Sequence, residues 1–276
     1  MTKRSISLIK RKVNDNPSVN SSEIISDLND AGIKISKATV NRNLRENGFK
    51  LYKSKAKPYL SKTMKKKRLA WAKNVQSKDN DFLKRIIFSD ECSIEIPDCM
   101  VNSKIRRFPW SNPYEDKYMV KKQKYPTKVM VWGCITYNGI GELSIVDGMM
   151  NSDKYVFTID NFLMPTINKL EIPNPIFQDD SAPCHRSRKV KDHLCTMNIQ
   201  CLDWPGNSPD INIIENVWQF LKMKVKKKSS KNKTELIKAI FQSWEEIDIN
   251  NIRKLYESFP TRISMLVKAK GGTTKY

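Results

Sequence analysis

The chain has 276 residues, a length that accommodates one large domain and one small domain. Its formal net charge of +21 and pI of about 9.7 indicate a polyanionic partner, with nucleic acid favoured over a membrane surface. No apolar run approaches the roughly 18 residues that cross a bilayer, and no secretory signal opens the sequence, so we expect a soluble intracellular protein with no membrane partner.

Residues 1–50 show three short helical patterns and predict a helix-turn-helix DNA-binding domain. Apolar residues line one face over Ser5–Asn14 and over Ser22–Asp30, and a capping box precedes the second pattern. The third pattern, Lys37–Asn47, is the predicted recognition helix. Its outward side chains are the candidate DNA contacts Lys37, Asn41, Arg42 and Arg45. The alternative is a plain three-helix bundle with a solvated basic face.

Residues 51–80 are again strongly basic and predict a linker that lies along a phosphate backbone. The first 80 residues hold 20 Lys and Arg against 6 Asp and Glu, which places +14 of the net charge of +21 in this part. Lys53 and Lys55 belong to this stretch. The four-residue run that follows, equally readable as a nuclear import signal, supplies the further candidate DNA contacts Lys65, Lys66, Lys67 and Arg68.

From residue 81 to the carboxyl terminus the pattern changes to short apolar runs that predict strands, and this part is the predicted catalytic domain. Two of these runs end in acids, one at Asp90 and one at the pair Asp179-Asp180, where we expect buried strands to reach the surface. The predicted strand segments are 86–88, 129–132 and 175–178.

A third acid, Glu215, lies beside a helical apolar stripe that would pack on a sheet. The stripe consists of Ile211, Ile214, Trp218, Leu221 and Val225. Two more helices are predicted after it, over Lys233–Trp244 and Asn251–Ser258.

Two strand-end aspartates and one helix glutamate are the oxygen ligands that a pair of hard divalent cations requires. Two such ions activate a water or a 3′ hydroxyl and stabilise the leaving oxygen, so the predicted chemistry is phosphodiester cleavage and transfer. Taken singly, an acid is more simply interpreted as a cap, a turn or a solvated charge, and this is the interpretation of Glu91, Asp98 and Asp210.

The motifs resemble those of the Tc branch of the Tc/mariner transposases, in order and in spacing, over nearly the whole chain. The family's second acid precedes a small polar residue and Ala-Pro-x-His, which selects Asp180 over Asp179. The matching segments are Ile-Ile-Phe-Ser-Asp-Glu (86–91), Val-Met-Val-Trp-Gly-Cys (129–134), Phe-Gln-Asp-Asp-Ser-Ala-Pro-Cys-His-Arg-Ser (177–187), Trp-Pro-Gly-Asn-Ser-Pro-Asp-Ile-Asn-Ile-Ile-Glu-Asn-Val-Trp (204–218) and Lys-Ala-Lys-Gly-Gly-Thr-Thr-Lys-Tyr (268–276).

The resemblance implies an α/β fold, with a ribonuclease-H-like catalytic domain over 81–276 preceded by the small all-α domain. It implies that Asp90, Asp180 and Glu215 bind magnesium, for which manganese can substitute. The 34 residues between Asp180 and Glu215 equal the spacing that is characteristic of the Tc branch. The implied activity is cut-and-paste transposition of double-stranded DNA, from inverted repeats into a TA target, by a homodimer in the nucleus. His185 is a candidate auxiliary residue that contacts the phosphate or orients a ligand.

Two departures from the family pattern stand out. Full-length relatives carry two helix-turn-helix units, and the single unit here resembles the second. We therefore expect the first unit to be missing and the specificity for inverted repeats to suffer. In addition, Tyr125-Pro126-Thr127 replaces a glycine-rich run that ends a clamp-like loop in relatives.

Two other classes of protein remain as alternatives. A transposase-derived or decayed DNA-binding protein would keep the basic segment without catalysis, although no triad residue is lost. A zinc protein would use the candidate ligands Cys184, His185, His193, Cys195 and Cys201, whose spacing fits no compact zinc site. Reduced thiols are the simpler interpretation of the six cysteines.

Overall fold

The structure, a computed structural model, describes residues 2–52, 57–96, 106–119 and 127–276. Lys53 and Lys55 of the predicted linker, and Tyr125 and Pro126 of the second departure, lie outside these ranges. Two compact units are formed, Met1–Lys57 and Pro58–Tyr276. None of the described helices combines the length and apolar character that a membrane crossing requires.

The first unit contains the three predicted helices, and the helix-turn-helix fold is confirmed. Their bounds are α1 Lys3–Asp15, α2 Ser21–Asp30 and α3 Lys37–Glu46. Each begins at a side-chain cap. In the predicted box Asn20 Oδ1 accepts from the Glu23 amide at 3.0 Å, and the Glu23 carboxylate accepts in return from the side-chain amide of Asn20. The core is small and consists of Ile9, Ile24, Leu28 and Val40, all at most 2% exposed.

The second unit is a five-stranded mixed sheet covered by helices, as the predicted α/β class requires. The strands are β1 Ile86–Glu95, β2 Lys128–Thr136, β3 Gly139–Val146, β4 Ile176–Gln178 and β5 Gln200–Cys201. Their order across the sheet is β3-β2-β1-β4-β5. β1 pairs antiparallel with β2 and parallel with β4, so the pairing changes from antiparallel to parallel at this central strand.

Eight helices of this unit lie within the described residues, apart from short 3₁₀ and π turns. They are α4 Lys62–Gln76, α5 Asn80–Lys84, α6 Ser152–Thr158, α7 Met164–Lys169, α8 Arg188–Thr196, α9 Ile214–Lys227, α10 Lys233–Glu245 and α11 Ile249–Lys268.

The two faces of the sheet are buried by different helices. Alternate residues of β1 point to opposite faces, so that Ile86 and Phe88 pack with α4, α9, α10 and α11. Ile87 packs on the other face with α6, α7 and α8. The central strands are therefore apolar on both sides, as expected for a sheet between two helical layers.

Two segments that the sequence analysis did interpret have a different structure from the expected one. Residues 62–76 of the predicted linker form α4, which packs against α11 within the second unit. α11 also continues ten residues past the expected end at Ser258 and contains Pro260. Burial of Phe259, Ile263 and Leu266 outweighs the backbone hydrogen bond that the proline cannot donate.

Candidate active site

Asp90 and Asp180 are aligned by the pairing of two parallel strands. Phe88 of β1 is the register partner of Gln178 of β4, and each aspartate lies two residues beyond its member of that pair. Asp90 was expected at a strand end, but it lies within β1, opposite Gly133 of β2. It is β4 that ends, at Gln178, and its departure opens the sheet beside Asp90.

Glu215 reaches the same place from helix α9. It lies in the first turn of that helix, three residues before Trp218, so the two side chains share a face. The Trp218 ring lies against Gly133, where an added Cβ atom would meet it at 2.9 Å. Because Gly133 is also the strand partner of Asp90, this close packing brings α9 towards the aspartate, and the Glu215 carboxyl lies close enough to Asp90 for each to influence the pKa of the other.

The three acids line one pocket of about 260 Å³. They come from β1, from the turn after β4 and from α9, so the fold brings together residues that are far apart in sequence. The remaining lining residues are Pro58, Trp204, Asn207, Ser208, Pro209 and Asn212.

The pocket disfavours negative charge unless a cation is supplied. Burial, together with the neighbouring Glu215 and Glu91 carboxylates, raises the pKa of Asp90 from 3.8 to about 8. Burial also raises the pKa of Glu215, while nearby Lys222 opposes that rise. A divalent cation would neutralise the repulsion between carboxylates crowded in this way, so the set of oxygen ligands fits a hard metal ion.

His185 connects Asp180 to a fourth acid, Glu91. Its Nδ1 lies 2.9 Å from Asp180 Oδ1 and its Nε2 lies 3.3 Å from Glu91 Oε1. The ring is 5% exposed and stacks on Tyr155 with centroids 3.9 Å apart. Burial alone would lower the pKa of His185, but the hydrogen bond with Asp180 and the nearby Glu91 carboxylate outweigh it and raise the pKa to about 10. A buried ring held in this way orients Asp180.

Asp179 and Asp180 have different environments, although they are adjacent in sequence. The Asp179 carboxylate caps the Ser181 amide at 2.7 Å, and burial raises its pKa. The hydrogen bond from His185 lowers the pKa of Asp180, which remains ionised. Asp180 lines the pocket with the other two acids, and Asp179 does not. Asp180, which the sequence predicts as the second ligand, is therefore the member of this pair that lies in the pocket with the other two acids.

Of the recognition-helix candidates, Lys37, Arg42 and Arg45 are exposed on α3. Asn41 is half-buried and accepts a hydrogen bond from the Ser21 hydroxyl at 2.6 Å, which ties α3 to the start of α2. Three cationic side chains of this helix are thus accessible to a phosphate backbone.

The basic run of α4 divides into exposed and buried members. Lys65, Lys66 and Lys67 are exposed, whereas Arg68 is only 1% exposed. The Arg68 guanidinium donates to both carboxylate oxygens of Asp210, at 2.9 and 2.8 Å. The prediction that Arg68 contacts DNA is therefore corrected, because its donors are used inside the protein.

Sequence reasoning did not single out Glu91 and Tyr155 as site residues. Glu91 follows Asp90 directly and was read as a cap or a solvated charge, yet it pairs with His185. Tyr155 lies on α6, which the sequence analysis did not predict. No local signal marks an aromatic ring that stacks on a histidine 30 positions away.

The five zinc candidates do not converge. Among the described residues, only one group of three or more His, Cys, Asp or Glu has its ligand atoms within 4.8 Å of one another, and it consists of Asp179, Asp180 and His185. Cys195 and Cys201 are exposed and Cys184 is half-buried, all as free thiols.

Comparison with known families identifies both units. A profile of Tc3-type helix-turn-helix domains, described as "Transposase", matches residues 7–77. A profile described as "DDE superfamily endonuclease" matches residues 85–237 and includes all three acids.

Individual proteins give the same result. The Tc1 transposase of Caenorhabditis elegans is 31% identical over 87% of this chain and 88% of its own length. The Tc3 transposase of the same organism is 28% identical over 90% of this chain and 74% of its own. A Mos1 transposase paired-end complex with the left transposon end matches in fold, with a TM-score of 0.82 at 19% identity over 98% of this chain and 79% of that one. The chain therefore belongs to the Tc/mariner transposases, DDE enzymes that bind DNA and use divalent metals to cut and join it.

Proposed function

We propose that Asp90, Asp180 and Glu215 hold two magnesium ions, for which manganese can substitute, and that this centre cleaves DNA at transposon ends and joins them to a target. The observation that carries the proposal is the convergence of the three acids in one pocket of about 260 Å³. The raised pKa of Asp90, caused by burial and by neighbouring carboxylates, supports a cation as the missing partner. Bound metal would supply Lewis-acid activation of the attacking oxygen and stabilisation of the leaving oxygen.

The residues of the chain prepare this chemistry by position and charge. His185 fixes the Asp180 carboxylate from a buried position, which limits its rotation. The turn after Gln178 is held by the Asp179 cap on Ser181, a residue with a left-handed φ of 62°. Asp90 is fixed by the strand ladder on its β2 side. The protein thus presents its ligands in a defined arrangement before DNA arrives.

The proposed substrates are the inverted repeats of a transposon and a TA target step, an easily deformed dinucleotide. The exposed cations of α3 and the net charge of +21 support duplex binding. We further propose that a homodimer pairs two ends and that the protein acts in the nucleus. The complex of the fold relative Mos1 transposase with a transposon end supports this partner class.

The proposal is tested by strand transfer of pre-cut DNA ends with magnesium, using isosteric variants of the two adjacent aspartates. Asp180→Asn is expected to abolish transfer, whereas Asp179→Asn is expected to keep measurable transfer because it still accepts from the Ser181 amide. Both variants should bind DNA normally in a gel-shift assay. Equal transfer by the wild type and Asp180→Asn would refute the assignment, and a decayed DNA-binding protein would then be the better description.

A further inference from the structure

A second and larger cavity lies beside the catalytic pocket. It is a groove of about 840 Å³ between α4 and the segment 200–206 that follows β4 and includes β5. Trp204 lines both the groove and the catalytic pocket. Ser181, the residue after the catalytic Asp180, also lines the groove. The groove therefore lies next to the site at which a phosphate would react.

The borders of the groove are positively charged. Lys67 of α4 and Lys78 just after it lie on one border, and Arg186, from the loop before α8, lies on the other. All three side chains are exposed. Asp203 is the one acid among the lining residues, so the lining carries a net charge of +2. Cations on two opposite borders suit a ligand that carries negative charge along its length.

The floor of the groove is rigid and apolar. Trp71 and Trp204 pack edge to face with ring centroids 5.0 Å apart, and both are largely buried, at 8% and 3% exposure. A positive groove with an apolar floor suits a nucleic-acid strand, since phosphates meet the cations while the sugars lie over the apolar floor.

We propose that this groove binds the DNA strand that continues from the phosphate held at Asp90, Asp180 and Glu215. The inference rests on the proposed function and adds to it the path of one strand away from the active site. A strand seated here runs between α4 and the segment 200–206, which makes α4 part of the DNA-binding surface of the catalytic unit. Its cations contact phosphate oxygens and therefore give affinity without sequence preference.

Two cysteines provide a direct measurement of groove occupancy. Cys201 is exposed and lines the groove, whereas Cys195 is exposed on α8 outside it. The full chain is treated with iodoacetamide in EDTA, which prevents cleavage, and alkylation of each thiol is followed by mass spectrometry. The probe is a DNA duplex with a single-stranded 3′ extension, and its binding is measured in parallel by fluorescence anisotropy.

At a DNA concentration about tenfold above Kd, alkylation of Cys201 is expected to slow by roughly tenfold, because only the free fraction reacts. Alkylation of Cys195 should not change. Lys67→Glu/Lys78→Glu should remove the protection of Cys201. The matched control, Lys62→Glu/Lys73→Glu, changes two exposed lysines of α4 that do not line the groove, and it should keep the protection.

Unchanged alkylation of Cys201 while anisotropy reports bound DNA would overturn the proposal, since the DNA would then be held elsewhere. Protection that grows with protein concentration in the absence of DNA would also overturn it and would indicate a second copy of this chain in the groove. Failure of the catalytic assignment is distinguishable, because Asp180→Asn should show the same protection as the wild type. Protection in a protein that never transfers strands would leave the groove assigned and the chemistry refuted.

Discussion

Arg68 of α4 and Asp210 of the loop before α9 form a buried ion pair, with Nη2 of the arginine 2.8 Å from Oδ2 of the aspartate. The same carboxylate accepts from the Thr274 amide and hydroxyl at 3.0 and 3.1 Å, and Arg68 Nε donates to the Gly271 carbonyl at 3.0 Å. One pair thus joins the start of the catalytic unit, the loop that leads to Glu215 and the end of the chain.

Breaking this pair should strongly destabilise the catalytic unit. Arg68→Ala leaves a buried carboxylate without its main partner, and we expect a loss of about 3–5 kcal/mol in the free energy of unfolding, measured by urea denaturation. The exposed pair of Lys169 and Glu142 is the control, and Lys169→Ala should cost less than about 1 kcal/mol. Equal effects of the two substitutions would contradict the structural role of Arg68.

The metal-free protein should lose stability as pH rises, because of Asp90. Its pKa in the folded state, about 8, lies above the ordinary value of 3.8, so the folded protein retains a proton that the unfolded chain releases. This contribution is fully present below about pH 4 and is lost as pH rises through about 8.

Asp90→Asn cannot ionise and should therefore be less sensitive to pH. In EDTA at about pH 8.5, a gain of about 1 kcal/mol would raise its Tm roughly 2–4 °C above that of the wild type. Magnesium should raise the Tm of the wild type and leave that of the variant unchanged. A variant that melts below the wild type at high pH would rule out this account.

His185 is expected to act on metal affinity through Asp180. His185→Ala removes the contacts to Asp180 and Glu91, and it should weaken manganese binding by about 10–100-fold in calorimetric titration. His185→Asn retains a donor near the position of Nδ1 and should recover part of the loss. If both variants bind manganese as the wild type does, the ring has a packing role on Tyr155 only.

Gly133 should be required for the position of Glu215. Gly133→Ala places a Cβ 2.9 Å from Trp218 and should cost about 1–3 kcal/mol by overpacking while weakening manganese binding. Gly148→Ala is the control in the same unit. Gly148 has a left-handed φ of 68° but no atom closer than 3.7 Å to an added Cβ, so only stability should change. Manganese binding that is unchanged in Gly133→Ala but weakened in Gly148→Ala would count against the role of Gly133.

The cations of α3 should contribute affinity that depends on salt. Arg42→Ala removes an exposed charge and should reduce the slope of log K against log salt concentration by about 1 if it contacts one phosphate. Glu46→Ala, which removes an exposed acid from the same helix, should not reduce the slope. An unchanged slope for Arg42→Ala would place this residue away from the DNA.

The sequence predicts the acids better than their surroundings. Asp90, Asp180 and Glu215 are predicted from the resemblance to the Tc branch, in which the Ala-Pro-Cys-His segment distinguishes Asp180 from Asp179. The location of Asp90 within a strand could not be predicted, because the pocket opens where β4 ends and not where β1 does. That end depends on pairing between segments 90 residues apart, which no local pattern encodes.

Arg68 illustrates a signal that was present but unused. It lies three, four and seven positions before the buried residues Trp71, Ala72 and Val75, on the face of α4 that packs on the core. The surrounding lysines suggested a uniformly exposed basic run. Helical periodicity would have separated Arg68 from them, although its partner Asp210 could be known only from the fold.

The register between β1 and β4 has a consequence for how this site changes over time. Main-chain pairing sets the separation of the two aspartates, so the long insert between them can vary in length or composition without moving either carboxylate. Glu215 has no comparable safeguard, because its location depends on a ring lying against a glycine and on a salt bridge to a distant helix. Neutral drift should therefore disable this transposase first by misplacing its glutamate, in copies that still fold and still carry all three acids.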